Sequence, residues 1–181
     1  MNLRVIAGKH GGRKLRFPGG HKTHPMGERV RSAMFNSLGS AVDQAEVLDV
    51  FAGTGAIGLE AISRGAKHVT FIERDKLAQT ALLDNISSLN EDANTKLIKT
   101  TVLNWLENNA DKKFDLIFVD PPYNEPQFST VGKLLGLLKP NGYMVLSHPG
   151  KGEVPTETGV VVVDNRSYGG ANLTYYRRED V

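Results

Sequence analysis

The chain has 181 residues, 40% of them hydrophobic and 23% charged, with no cysteine and a formal net charge of +2. That length and composition fit one globular domain and exclude a disordered tail, a disulfide scaffold, a thiolate metal site and a cysteine nucleophile. No apolar run approaches the roughly 20 residues that span a bilayer, and the first residues lack a secretory signal's apolar centre, so a soluble cytoplasmic protein is expected.

The charge is unevenly placed. Residues 1–31 hold Arg4, Lys9, Arg13, Lys14, Arg16, Lys22, Arg29 and Arg31 against Glu28 alone, a net +7, and the remainder carries −5. Clustered Lys and Arg release counterions from a phosphate backbone, so a basic arm on an acidic body points to a nucleic acid. A merely solvated basic surface is the alternative.

The elements follow in order. Residues 3–7 and 14–17 read as two short strands around a Gly11-Gly12 turn, and the stretch up to Pro25 reads as loop. Val30, Met34, Phe35 and Leu38 then recur at helical spacing with Gly39 as a stop, which leaves Arg29 and Arg31 off the apolar stripe. From residue 46 strands and helices alternate. Strands are expected at 46–51, 68–73, 96–100, 114–119 and 143–147. Helices are expected at 56–64, 75–89, 102–109 and 128–138. Two last strands, 159–165 and 172–177, lie too close for a crossover helix and should form an antiparallel hairpin. The expected fold class is α/β, Rossmann-like, with a mostly parallel seven-stranded sheet. Residues 1–40 are expected as a basic hairpin-and-helix extension, and 41–181 as the main domain.

Two segments carry chemistry. Gly53-Thr54-Gly55-Ala56-Ile57-Gly58 fits G-x-G-x-x-G between a strand and a helix, and Glu73 ends the next strand 20 residues after Gly53. Glycines let a ligand approach the backbone, and an acid at Glu73 suits ribose hydroxyls. Asp49 lies near the end of the preceding strand, where a buried carboxylate needs a cation or donor. It would repel a dinucleotide's pyrophosphate and suit the sulfonium and amino group of S-adenosylmethionine, which is therefore the preferred cofactor over a nicotinamide or flavin dinucleotide.

The second segment, Asp120-Pro121-Pro122-Tyr123, directly follows the fourth strand of the alternating region. It should face the same crevice, because ligands in open parallel sheets bind beyond the carboxyl ends of the strands. Asp120 and the Pro121 carbonyl offer acceptors, the two prolines stiffen the loop, and Tyr123 offers a flat face. Together they suit a planar nucleobase amine, flipped out if it starts in a helix. Methyl transfer would rest on positioning and electrostatics.

At this point the chain resembles a known group. LDVFAGTGAIGLEAISRGA, FIERD and IFVDPPY resemble class I S-adenosylmethionine-dependent methyltransferases acting on exocyclic amines. RVIAGKHGGRKLRFP and HPMGERVRSAMFNSL resemble, more narrowly, the RsmD family of bacterial 16S ribosomal RNA guanine-N2 methyltransferases. The resemblance implies a cofactor loop at Asp49, Phe51, Ala52, Gly53, Thr54 and Gly55, ribose binding by Glu73, and adenine flanked by Arg74. It implies a target guanine held by Asp120, Pro121, Pro122 and Tyr123. It further implies RNA bound by the basic hairpin and helix, and as substrate the 16S RNA of a small subunit or its assembly intermediate, where ribosomal proteins can take part. Relatives often carry an acid facing the adenine amine after the third strand of the alternating region; here Thr101 and Val102 stand there, and the ring is expected to be held by Thr101 or by backbone groups. Action as a monomer is expected.

The remaining candidates read blandly. His10, His21, His24, His68 and His148 show no paired metal spacing, so no metal is expected. Trp105 reads as a packing residue. Ser147-His148 lacks the acid partner and G-x-S-x-G elbow of a hydrolase. The rival functions are another RNA or DNA amino-methyltransferase, such as one for adenine N6, a dinucleotide oxidoreductase, and a non-catalytic RNA-binding assembly factor.

Overall fold

The computed structural model describes residues 2–18, 25–125, 127–150 and 153–180. The first element is a two-stranded antiparallel ribbon, β1 (Leu3–Arg4) and β2 (Lys14–Leu15), followed by helix α1 (Glu28–Leu38). The alternating region gives β3 (Glu46–Val50), α2 (Ala56–Ser63), β4 (His68–Ile72), α3 (Lys76–Ser88), β5 (Thr95–Ile98), α4 (Val102–Asn109), β6 (Phe114–Val119) and α5 (Phe128–Leu134). Strands β7 (Leu138–His148), β8 (Val160–Tyr168) and β9 (Ala171–Arg178) complete it.

Seven strands form one sheet in the order β5-β4-β3-β6-β7-β9-β8, parallel from β5 to β7 and antiparallel across β7, β9 and β8. The α/β class and the closing hairpin expected from the sequence are both present. Chain progression reverses between β3 and β6, so the crevice for a ligand opens at the carboxyl ends of these strands.

Side-chain alternation sorts the core into two layers. Val47, Val69, Phe71, Leu116 and Phe118 face the layer that also holds α1, α2 and part of α3. Leu48, Val50, Ile72, Ile117 and Val119 face α4 and α5. The N-terminal ribbon and helix belong to the first layer. Leu3, Val5, Leu15, Met34 and Phe35 pack with Leu59, Ile62 and Phe118, and the Phe35 and Phe118 rings lie 5.2 Å apart. The described residues of the ribbon and α1 therefore share the core of the main sheet.

Some boundaries differ from expectation. The first ribbon strand stops at Arg4 because the amides of Ile6 and Ala7 turn away to the Glu60 carboxylate on α2, at 2.8 and 3.1 Å. The helix expected through residue 138 ends at Leu134, continues as a 3-10 turn over Leu135–Leu137, and gives way to β7, which starts five residues early. Leu138 already pairs with Phe114 on β6, and Pro140, which has no amide hydrogen, cannot extend a helix.

Candidate active site

Strand β3 runs into a tight turn. Phe51, Gly53 and Gly55 have φ of +56°, +58° and +88°, a backbone that carries the chain from β3 into α2 within five residues. Gly55 is required on two grounds: its positive φ, and a Cβ that would fall 2.1 Å from the Leu82 Cδ1 of α3. A Cβ on Gly53 would meet nothing within 4 Å, so the opposite side of the turn is open to a ligand.

Three carboxyl groups converge on this opening. Asp49 is fully buried, and its Oδ2 accepts from the Gly58 amide at 2.9 Å. Burial raises its pKa well above the usual carboxylate range, and the charges of Asp120 and Glu73 push it further up. Glu73, just after β4, accepts from the Gly53 amide at 2.7 Å with one oxygen and from the Asp75 amide at 2.8 Å with the other. It is thus fixed against the glycine turn with lone pairs to spare. Arg74 next to it is exposed, 3.8 Å from Glu125.

Asp120 directly follows β6. Burial pushes its carboxyl up to about 6, and the Ser147 hydroxyl pulls it partly back. Pro121 is buried, and Tyr123 leaves 38% of its surface exposed. The Tyr123 hydroxyl is 2.6 Å from the Ser147 Oγ, which tethers that end of the side chain. Ser147, which lacks a hydrolase's partners, gains a different functional place here. The signal lay in strand order: pairing of Val119 with Leu146 brings Ser147 beside Asp120. His148 is structural; its Nε2 lies 2.8 Å from the Thr174 Oγ1, and burial lowers its pKa.

The residues expected beside the adenine open helix α4. The Thr101 Oγ1 accepts from the Asn104 amide at 3.2 Å as the N-cap of α4, and the Val102 side chain is in the core. What these two can offer a ligand is the Thr101 hydroxyl hydrogen and backbone groups.

The expected RNA-binding residues separate into groups. Arg31 is a correction. It is 1% exposed, its Nη2 donates to the Arg4 carbonyl at 2.6 Å and its Nε lies 3.7 Å from Glu60, so it does not reach a phosphate. Helical spacing placed it off the apolar stripe, but the ribbon covers that side of α1. Arg4 pairs with Glu28 at 2.7 Å, Lys9 with Glu91 at 3.0 Å and Arg16 with Asp84, and Arg13 donates to the Ser88 carbonyl at 2.7 Å. Lys14 and Arg29 are exposed and join no ion pair among the described residues. Lys22 lies outside the described residues. The ribbon turn docks at the far end of α2: the Lys9 and His10 amides reach the Ser63 carbonyl and Oγ, each at 2.9 Å. The glycine turn is at the other end of that helix, about 12 Å away at 1.5 Å per residue.

No group of three or more His, Asp or Glu that could hold a metal occurs among the described residues, and no helix there is long and apolar enough to cross a membrane.

Comparison with known proteins places this geometry in a family. The family described as Conserved hypothetical protein 95 matches residues 3–177. The chain belongs to that family. It is 31% identical to "Putative rRNA methyltransferase YlbH" of Bacillus subtilis over 97% of this chain and 99% of that one. It is 34% identical to Ribosomal RNA small subunit methyltransferase D of Escherichia coli, over 78% of this chain and 69% of the relative. Among solved structures, yhhF of Escherichia coli superposes at a TM-score of 0.87, with 29% identity and full coverage of both chains. A more distant structure, SMU.776 complexed with SAH, shares the fold at a TM-score of 0.66 and 18% identity, over 82% of this chain and 48% of that one. The family member described here thus has the methyltransferase fold, with its glycine turn, Glu73 and Asp120-Pro121-Pro122-Tyr123 at one crevice.

Proposed function

We propose that this chain transfers a methyl group from S-adenosylmethionine to the exocyclic N2 amine of a guanine in the 16S ribosomal RNA of the small subunit. The observation that carries the reading is the meeting of a ligand-open glycine turn with Asp120 and the half-exposed Tyr123. The names of the relatives, one of them a small-subunit ribosomal RNA enzyme, support the RNA and the subunit.

The donor set fits this cofactor. A cluster of Asp49, Glu73 and Asp120 repels a pyrophosphate and attracts a sulfonium and an ammonium group. Bound there, S-adenosylmethionine would supply a methyl carbon made electrophilic by its sulfonium, whose C–S bond breaks to release S-adenosylhomocysteine. Glu73 holds the ribose hydroxyls, and Phe51, Ala52, Gly53, Thr54 and Gly55 form the wall beside them. Arg74 and the Thr101-Val102 junction flank the adenine.

The chain's own work is on the base. The guanine stacks on Tyr123, whose ring is tethered through Ser147. Asp120 and the Pro121 carbonyl accept the two N2 hydrogens and aim the nitrogen lone pair at the methyl carbon. Pro122 stiffens the segment. With its pKa near 6, Asp120 is largely ionised at neutral pH and takes the proton that N2 loses as the new N–C bond forms. Lys14 and Arg29 neutralise phosphates, and the surface side chains of Arg4, Lys9, Arg13 and Arg16 join them by exchanging side-chain partners while the ribbon stays docked.

The test is methyl transfer from labelled S-adenosylmethionine to undermethylated small subunits, naked ribosomal RNA and DNA in parallel, followed by nucleoside analysis. N2-methylguanosine from subunits or their RNA is the expected product. Methyladenine, or a product in DNA alone, overturns the substrate assignment. Cofactor binding with no transfer to any of them supports an assembly factor instead.

A further inference from the structure

Asn85 lies in the last turn of α3 and is 2% exposed. Its side chain serves two other segments. The Oδ1 accepts from the Arg16 amide at 2.6 Å, and the Nδ2 donates to the Arg16 carbonyl at 3.0 Å. The second Nδ2 hydrogen goes to the Thr54 carbonyl, also at 3.0 Å. One donor and two acceptors surround the carboxamide, so its orientation has a single solution. Thr54 lies in the glycine turn, and Arg16 follows β2 in the basic arm.

Neighbouring contacts fix the same junction. Leu82, one turn earlier on α3, occupies the space that a Cβ on Gly55 would need. The Arg16 guanidinium pairs with Asp84, next to Asn85. The face of α3 that carries Leu82 and Asn85 is therefore the floor under the glycine turn, and the arm's backbone is bonded to the same carboxamide as that turn.

We propose that Asn85 is a positioning residue that couples the basic arm to the cofactor turn, so that RNA on the arm and cofactor in the turn strengthen each other's binding. The inference rests on the proposed function for the identity of the two ligands. The states involved are the turn seated on Asn85 with the arm docked, and the turn lifted with the arm's backbone bonds broken. A ligand that favours the seated turn also favours the docked arm, and the effect is reciprocal. A purely structural asparagine would affect melting alone and leave the two affinities independent.

The experiment titrates S-adenosylhomocysteine into the full chain, alone and with a saturating naked transcript of small-subunit ribosomal RNA, by calorimetry. In the native protein the RNA is expected to tighten this ligand about fivefold or more, the usual scale of coupling between two sites. Asn85→Ala removes all three bonds. Asn85→Asp keeps only the acceptor for the Arg16 amide. Both are expected to bring the coupling to about twofold or less. Leu83→Ala, on the exposed side of the same helix, retains the native factor. Coupling that survives in both Asn85 variants overturns the assignment. If both variants fail to fold, the native arm of the experiment still decides: two ligands that bind independently refute the coupling and leave the proposed function standing. Failure of the native protein to bind either ligand at all overturns the proposed function and this inference with it.

Discussion

Glu60 gives the most demanding prediction. It is fully buried in α2 and accepts from the Ile6 and Ala7 amides and from the Arg64 Nε at 2.8 Å, with the buried Arg31 3.7 Å away. Glu60→Gln keeps the size and removes the charge. It leaves one acceptor oxygen for two amides and takes the counter-charge from two arginines. Breaking a buried ion pair from one side costs about 3–5 kcal/mol. Total stabilities are about 5–15 kcal/mol, so the loss is a large share. At about 2–4 °C per kcal/mol for a chain of this size, melting should fall by about 10 °C. The single Trp105 is buried and reports unfolding in urea. The Arg31 Nε has no hydrogen-bond partner, so Arg31→Met in the Glu60→Gln background should recover part of the loss. A Glu60→Gln protein within about 1 kcal/mol of the native one refutes the account of this buried network.

Three further sets of substitutions have defined outcomes. Asp120→Asn should lower kcat by about a hundredfold or more, and the native acid limb should rise through pH 6, where Asp120 ionises. The same substitution should stabilise the protein above pH 6: a carboxyl whose pKa is raised on folding favours the fold when protonated, and that gain is fully present below about 4 and lost as pH climbs through about 6. Urea melts at pH 5 and pH 8 check the sign. Ser147→Ala should move the acid limb to higher pH, since Asp120 loses its donor, and should lower kcat with KM for S-adenosylmethionine nearly unchanged; an unshifted pH profile contradicts this role. Neutralising Lys14 and Arg29 together should weaken RNA binding and reduce the salt slope by about two, as read by filter binding across a salt series.

Much of the fold was legible because strand and helix periods alternate cleanly from residue 46 onward. The crevice was legible because its parts are short, contiguous segments: Gly53–Gly55, Glu73 and Asp120–Tyr123. What escaped depends on pairs far apart in the chain. Arg31 reads as a surface cation on a helical projection, and only the docking of the ribbon shows it buried. Glu60 reads as the polar position of a helix that is in fact enclosed on every side. Ser147 gains meaning from strand order, and Asn85 from a contact with Arg16, 69 residues away. The early end of α5 was readable in part from Pro140; the irregular start of β7 was set by its pairing with β6.

The docking of the ribbon has a consequence for the order in which the chain is made. Lys9 and His10 are held by Glu91, and Ile6 and Ala7 by Glu60, so the ribbon is anchored by residues synthesised 53 to 82 positions after it. At about 5–20 residues per second, Lys9 waits about 4–16 s for Glu91. During that interval Lys9, Arg13 and Arg16 lack the partners at Glu91, Ser88 and Asp84 that later hold them, and the segment keeps its excess of positive charge unanswered as it leaves the ribosome. Its final shape is dictated by the middle of the sequence, and a nascent chain stopped before residue 91 has its basic front still incompletely anchored.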